Sequence, residues 1–250
     1  MTRASLAELE ELLGGQAAAA LDGADVRRQL DGVDPGGRLL ADLRAAWEDL
    51  PRDEHLADGG AWRERRYGRL AATPDGEGHR LEVMADQPFK QAAELIPLYK
   101  GEARLFAAVT AATVANQALL ALVGQDLELV ARVEGGRRPA VVGLHLIRVI
   151  ATGGSDVAPA PEGRHRDGHA WIAMHLLARD GCTGGTSRVY RPGEAEPFLI
   201  TTMSAELDTV IVDDRRVEHE VSPIRAAVPG RPGRRDILLV DIDLDQEAGL

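Results

Sequence analysis

The chain has 250 residues, of which 44% are hydrophobic and 28% charged, a composition typical of a globular protein with a full hydrophobic core. Its formal net charge of −11 argues against nucleic acid or an anionic membrane as a partner. A single cysteine, Cys182, excludes an internal disulfide and a multi-cysteine zinc site and is typical of a reducing cytoplasm. The acidic N-terminus lacks a signal-peptide core, and no apolar run is long enough to span a membrane.

The first part of the chain, to about residue 130, is predicted to be mostly helical support. Ser5 and Glu8 form an S-x-x-E capping box, and leucines recur at helical spacing between Leu39 and Trp47. Residues 62–83 predict extended structure with a turn in TPDGEGH. Residues 103–123, rich in alanine and leucine, predict a long buried helix.

The second part changes to short strand-like runs separated by glycine, proline or aspartate. One hairpin is predicted to turn at Asp213 and Asp214. The density of strands predicts an α+β protein with a mainly β core, a double-stranded β-helix (jelly roll) over about residues 141–243, buttressed by the N-terminal helices. Because no linker divides the chain, residues 1–250 are predicted to form a single domain with a fraying, polar C-terminal tail.

Two histidines and an aspartate in this strand-rich region predict a metal site. His165 and Asp167 are two residues apart, so in an extended chain they project to the same side. His219 lies between Val217 and Val221 in VEHEV, which predicts that the ring points inward while the flanking glutamates face water. Two imidazoles and one carboxylate form the facial triad of non-haem Fe(II) oxygenases, which leaves coordination positions open for O2 and a chelating cosubstrate.

Each part of this motif also has a plainer interpretation. A histidine beside an acid is more often a surface pair, and an inward histidine is more often a hydrogen-bonded core residue. The combination, in this order within a strand-rich region, favours the metal site. Enzymes with this triad commonly use 2-oxoglutarate, whose distal carboxylate needs a buried cation, and Arg234 and Arg235 open the last strand-like run. Strand alternation places the two arginines on opposite faces without choosing between them.

Four segments together carry a resemblance to a known family. In chain order they are PEGRHRDGHAW, GGTSRVY, DDRRVEHEVSPI and RRDILLVDI. They resemble the bacterial Fe(II)/2-oxoglutarate-dependent dioxygenases that hydroxylate free L-amino acids, the L-isoleucine dioxygenase-like enzymes. The resemblance covers roughly residues 60–243, with RERRYGRL and VGLHLIRV adding to it.

The resemblance implies that His165, Asp167 and His219 bind Fe(II) and that Arg235 binds 2-oxoglutarate. The implied activity is hydroxylation of an unactivated C–H bond with O2, with ascorbate as the reductant in vitro. The implied substrate is a free L-amino acid of secondary metabolism, aliphatic or saturated cyclic, such as isoleucine, leucine, proline or pipecolate. Related halogenases lack the carboxylate ligand, so Asp167 favours hydroxylation. No feature of the sequence fixes an oligomeric state.

Further polar and aromatic residues are candidates for binding. Ser187 is a candidate for the cosubstrate carboxylate, although it equally fits a strand cap. Glu162 and Arg104 are candidates for the substrate ammonium and carboxylate, each with a solvated surface charge as the plainer interpretation. Trp171 is a candidate for the pocket wall, although a strand aromatic is more often core.

Other functions remain open on the sequence. The alternatives are a dioxygenase that acts on a carrier- or peptide-bound amino acid and a non-catalytic jelly-roll module that holds a metal. A zinc hydrolase is disfavoured because no H-E-x-x-H motif occurs.

Overall fold

The computed structural model describes residues 6–245, apart from residues 57, 77, 86–87, 100, 136 and 153–155. Ser5, one half of the predicted capping box, lies outside this range. The helices are α1 (Leu6–Gln16), α2 (Gly23–Gln29), α3 (Arg38–Ala45), α4 (Ala111–Val114) and α5 (Gln117–Glu134), with 3-10 turns at Ala46–Asp49 and Pro97–Tyr99. None of the helices in these described ranges is long and apolar enough to cross a membrane.

The strands are β1 (Ala18–Leu21), β2 (Arg63–Asp75), β3 (Gly78–Val83), β4 (Ala107–Ala108), β5 (Pro139–Ala151), β6 (Trp171–Asp180), β7 (Cys182–Gly184), β8 (Thr186–Tyr190), β9 (Leu199–Thr202), β10 (Thr209–Asp213), β11 (Glu218–Val221), β12 (Ile224–Ala226) and β13 (Gly233–Leu244). An eight-stranded sheet has the order β1-β10-β6-β13-β5-β2-β3, with β4 paired to β2. Two small sheets, β11-β8-β9 and β12-β7, complete the β structure. The predicted jelly roll is confirmed.

The central strands of the large sheet, β5, β6 and β13, are buried on both faces, and each face packs against a different partner. Leu238, Val240 and Ile242 of β13 belong to an apolar cluster that includes Leu122 and Leu127 of α5. A second cluster joins inner-face residues of β6 and β13 to the small sheets. The sheet thus separates a helical layer from an interior space between the sheets.

The β structure starts earlier in the chain than residue 141. Strands β1 to β4 all join the large sheet, and β2 pairs with β5 from Arg63 to Ala71. The extended structure predicted for residues 62–83 is confirmed. Side chains alternate between the two faces of β2, and Arg63, Arg65 and Tyr67 are buried on one of them. The large sheet therefore takes part of its inner surface from the region predicted to be mainly helical.

Two local predictions are wrong. The long helix begins at Gln117, not near residue 103, because the Asn116 side chain accepts from the backbone N–H groups of Ala118 and Leu119 and starts a new helix there. The segment 209–221 is not a hairpin, because β10 pairs with β6 and β1 whereas β11 pairs with β8. Asp213 and Asp214 are buried at the point where the chain crosses between sheets.

Candidate functional site

A cavity lies between the inner face of the large sheet and the small sheets. Alternate residues of β13, from Arg235 to Asp241, line it, as expected for side chains that share one face of a strand. The other lining residues are Arg63, Arg65, Phe89, Gln91, Tyr99, Arg104, His145, Ile147, Val149, Pro159, Ala160, Glu162, His165, Asp167, Met174, His219 and Val221.

The predicted ligand residues meet at this cavity. His165, Asp167 and His219 each offer a ligand atom, and these atoms lie within 4.8 Å of one another. Asp167 Oδ1 is 3.5 Å from His165 Nε2, and its Oδ2 is 3.4 Å from His219 Nε2. The two histidines are also backbone partners, since each N–H donates to the other's carbonyl at 3.0 and 2.9 Å.

Two neighbouring groups fix the orientation of these side chains. His165 Nδ1 lies 2.7 Å from the carbonyl oxygen of Gly163, which leaves Nε2 to face the cluster. The buried Asp214 carboxylate accepts from the backbone N–H groups of Asp167 and Gly168 at 3.1 and 2.7 Å. It therefore holds the loop that carries Asp167.

Electrostatics give the cluster a strong preference for positive charge. Burial by itself lowers the pKa of His219, but hydrogen bonds to Asp167 and Asp214 outweigh it and raise that pKa to about 10. Asp167 likewise raises the pKa of His165 against the effect of burial. Burial also opposes ionisation of Asp167, yet the two imidazoles hold its pKa well below the usual value. A divalent cation satisfies the same electrostatic demand with neutral imidazoles.

Arg235 and Ser187 are buried donors that lack partners within the part of the chain that the structure describes. Arg235 Nε and NH2 and Ser187 Oγ have no hydrogen-bond acceptor among the described residues. Burial, followed by the nearby Arg179 charge, lowers the pKa of Arg235 to about 10. Ser187 pairs in register with Val221, a lining residue, so its side chain is on the same inner side of the small sheet. Unpaired buried donors of this kind fit an anionic ligand.

The structure distinguishes between the two arginines of the doubled pair. Arg234 lies on the other face of β13, where its NH1 is 3.2 Å from Glu48 Oε1 and the side chain is 41% exposed. Arg235 faces the cavity. Of the two, only Arg235 is positioned to contact a ligand there.

Arg104 and Glu162 both line the cavity. The sequence predicted a helix that begins near Arg104, but Arg104 lies outside any helix. It pairs with Phe89 through an isolated β-bridge and is buried, with Nε unpartnered among the described residues. Glu162 Oε1 is 3.7 Å from His165 Nε2, and its Oε2 is buried without a partner in the same part of the structure.

The expectation that Trp171 walls the pocket is wrong. Trp171 belongs to the cluster on the helical side of the large sheet, and its Nε1 donates to Glu134 Oε1 of α5 at 2.7 Å. Met174, on the opposite face of β6, lines the cavity instead.

Several cavity residues were not identified from the sequence. Gln91 donates through Nε2 to Asp167 Oδ1 at 2.9 Å and comes from an irregular segment without any periodic signal. Arg63 is paired with the buried Asp53 at 2.7 Å, and Arg65 donates to His145. The i, i+2 spacing of these arginines in RERRYGRL could have indicated a shared inward face.

This combination defines a class of protein. The described residues form a jelly roll with two histidines and a carboxylate on one side of a cavity, beside a buried arginine whose Nε and NH2 lack acceptors among them. This is the donor set and the anion site of a non-haem iron oxygenase. The family model for 2OG-Fe dioxygenases matches residues 44–241. The chain belongs to this family and is an Fe(II)/2-oxoglutarate-dependent dioxygenase that uses O2.

Individual relatives agree with this assignment. The 3(1)-hydroxy-L-isoleucine 4-dioxygenase of Pantoea ananatis is 26% identical over 212 residues, 83% of this chain and 82% of the relative. The crystal structure of a bsmA homolog from Methylobium petroleophilum has a TM-score of 0.82 at 26% identity, covering 97% of this chain and 94% of that one. IDO from Bacillus thuringiensis has a TM-score of 0.78 at 19% identity, over 97% and 100% of the chains, and supports the fold. The resemblance to amino acid dioxygenases is confirmed.

Proposed function

We propose that this enzyme hydroxylates an unactivated C–H bond of a free L-amino acid, with an aliphatic or saturated cyclic side chain, in secondary metabolism. The observation that carries the proposal is a pair of opposite charges in the cavity. Arg104 Nε and Glu162 Oε2 are buried and unpartnered within the described part of the chain, and both residues line the space beside the candidate ligands. A zwitterion carries the carboxylate and the ammonium that match them.

The similarity to the Pantoea ananatis enzyme supports this substrate class. Its name gives hydroxylated L-isoleucine as its substrate, which is a free amino acid of the proposed size. Phe89 and Tyr99 line the cavity beside Arg104 and supply apolar surface for a substrate side chain, the role that Trp171 does not fill.

Within this proposal His165, Asp167 and His219 hold Fe(II), and Arg235 with Ser187 holds the distal carboxylate of 2-oxoglutarate. The preference of the cluster for positive charge and the unpaired donors of Arg235 support this assignment. A planar guanidinium suits a carboxylate because it can donate two parallel hydrogen bonds.

With iron bound at this site, the chemistry supplied would be the conversion of O2, 2-oxoglutarate and a substrate C–H bond into an alcohol, succinate and CO2. The chain's own residues bind the substrate, orient it and shield it from water. Arg104 and Glu162 fix the substrate by its two charged groups, so that one C–H bond faces the metal. Because these two charges are buried, water does not compete for them, and their contacts with the substrate are stronger than they would be at the surface.

The test is a coupled assay over free amino acids. Enzyme, Fe(II), ascorbate and 2-oxoglutarate are incubated with each one, and succinate is measured together with a product mass gain of one oxygen. We expect at least one aliphatic or saturated cyclic L-amino acid to give both signals. Stimulation only by a carrier- or peptide-bound amino acid would instead establish the alternative substrate.

Two variants sharpen the assay. Glu162→Gln should raise the KM for the amino acid and leave the KM for 2-oxoglutarate unchanged, because only the ammonium contact is weakened. Ser187→Ala should raise the KM for 2-oxoglutarate and leave the KM for the amino acid unchanged. If both variants change the same KM, the division of the cavity into two binding sites is wrong.

A further inference from the structure

One amide links the candidate substrate site to the candidate metal site. Gln91 Nε2 donates to Asp167 Oδ1 at 2.9 Å, and Arg104 NH2 donates to Gln91 Oε1. Gln91 and Arg104 are only 7% and 3% exposed, so bulk water does not compete for these contacts. A continuous hydrogen-bonded chain therefore runs from a guanidinium to a candidate iron ligand.

The direction of the Gln91 amide is fixed by the chemistry of its partners. A guanidinium can only donate, and an ionised carboxylate can only accept. Oε1 must therefore face Arg104 and Nε2 must face Asp167. Donation into Oε1 polarises the amide and strengthens donation from Nε2, so a change at Arg104 alters the hydrogen bond at Asp167.

Arg104 is held firmly at the other end of this chain. Its Cζ lies 3.6 Å from the ring centroid of Tyr99 and 5.0 Å from that of Phe89. The guanidinium therefore keeps its place by stacking, while its Nε, which has no acceptor among the residues described, remains able to donate to a ligand. A bound carboxylate would draw on the same guanidinium that polarises Gln91.

We propose that Gln91 is a positioning residue that couples the substrate site to the metal site. It orients the Asp167 carboxylate and transmits the state of Arg104 to it, so that a substrate carboxylate bound at Arg104 would change how tightly Asp167 holds a metal ion. The inference rests on the proposed function, because it takes Asp167 as a metal ligand and Arg104 as a substrate contact.

The direction in which metal affinity changes when Arg104 is replaced distinguishes this coupling from simple electrostatic repulsion. Removal of a nearby positive charge should by itself tighten the binding of a divalent cation, because like charges repel. Loss of an outer hydrogen-bond partner of a metal ligand instead weakens metal binding, typically about 10–100-fold. If the relay operates, Arg104→Met should weaken metal binding although it removes a positive charge.

The experiment measures the dissociation constant of Mn(II) by titration, without substrate and without turnover. The proteins are the parent, Arg104→Met, Gln91→Met and the double variant. We expect Arg104→Met to weaken binding about 10-fold and Gln91→Met about 10–100-fold. The double variant should bind no more weakly than Gln91→Met alone, because without Gln91 the hydrogen-bonded path from Arg104 to Asp167 is already lost and removal of the Arg104 charge can only tighten binding.

The matched control is Arg65→Met. This arginine is equally part of the cavity and buried, but it donates to His145 and not to Gln91, so its loss should leave Mn(II) affinity unchanged or tighter. Should Gln91→Met fail to fold, as judged by circular dichroism, comparison of Arg104→Met with Arg65→Met still decides the question. Equal weakening in these two variants would overturn the relay.

Two further results would count against it. Tighter Mn(II) binding in Arg104→Met, or additive losses in the double variant, would show that Gln91 carries no coupling while leaving the metal site intact. His219→Ala is the separate test of that site. Unchanged Mn(II) affinity in His219→Ala would refute the metal site and the relay together, so the two failures are distinguishable.

Discussion

Replacement of Arg235 by methionine should stabilise the ligand-free protein while removing its affinity for 2-oxoglutarate. The guanidinium is buried, and two of its nitrogens have no partner in the described ranges of the chain. Its pKa of about 10, against an ordinary 12.5, corresponds to ~3 kcal/mol of lost stability for the charged form. Methionine retains most of the volume without the charge. We expect the free energy of unfolding to rise by about 1–3 kcal/mol, with part of the gain offset by imperfect packing.

The loss of 2-oxoglutarate affinity follows from the same feature. A charge-assisted contact to a carboxylate contributes about 1.5–3 kcal/mol, so the dissociation constant should increase roughly 10- to 100-fold. Thermal unfolding is followed without ligand, and calorimetric titration with 2-oxoglutarate is carried out on the Mn(II)-loaded protein. The parent should gain melting temperature with 2-oxoglutarate, and the variant should start higher and gain little.

Arg234→Met is the matched control. This neighbour on β13 is paired with Glu48 at the surface, so its loss should leave 2-oxoglutarate affinity intact and change stability by at most ~1 kcal/mol. The reasoning fails if Arg235→Met is less stable than the parent and binds 2-oxoglutarate equally well, or if Arg234→Met is the variant that loses affinity.

Three further predictions follow from residues around the cavity. Burial lowers the pKa of His145 to about 4, below its unfolded value of 6.5, so unfolding takes up a proton and up to ~3 kcal/mol of stability is lost as the pH falls from 6.5 to 4. The variant His145→Gln should flatten the dependence of melting temperature on pH in that window relative to the parent. Trp171→Phe should lower the free energy of unfolding by about 1–2 kcal/mol through loss of the hydrogen bond to Glu134, with the KM values for the amino acid and for 2-oxoglutarate unchanged. A raised KM for the amino acid would indicate that the Trp171 ring lines the cavity after all. Asp214→Asn should weaken Mn(II) binding about 10-fold or more, because the loop before it loses a carboxylate acceptor, and an unchanged Mn(II) titration would contradict this role.

The sequence predicted the parts of the site that depend on local geometry. Strand alternation predicted that His219 points inward between two valines, and a two-residue spacing predicted that His165 and Asp167 share a side; both are so in the structure. The inference for His219 works because the side chains of an extended strand such as β11 alternate with a period of two residues. His165 and Asp167 share a side although only His165 forms a β-bridge and Asp167 lies in a loop. The jelly roll was predictable for a related reason, the density of short strands between turn residues.

Other parts depend on contacts between distant segments. The choice between Arg234 and Arg235 depends on Glu48, which comes from a turn far away in the chain. Trp171 was misplaced because β6 is apolar on both faces, so its sequence contains no alternation from which to choose a side. Gln91 lies in an irregular segment, where no periodicity exists to indicate an inward side chain.

The backbone bridge between His165 and His219 has a consequence for the order in which the molecule is completed. The two histidines are 54 residues apart in the chain, and the segment between them contributes strands to both the large and the small sheets. Closing such a loop costs conformational entropy, and the three candidate ligands meet only once it has closed, so we expect the metal to bind late in folding. Contacts formed that late mainly slow unfolding. The metal-loaded protein should therefore unfold more slowly than the metal-free protein, because the bound ion holds together two distant segments of the jelly roll.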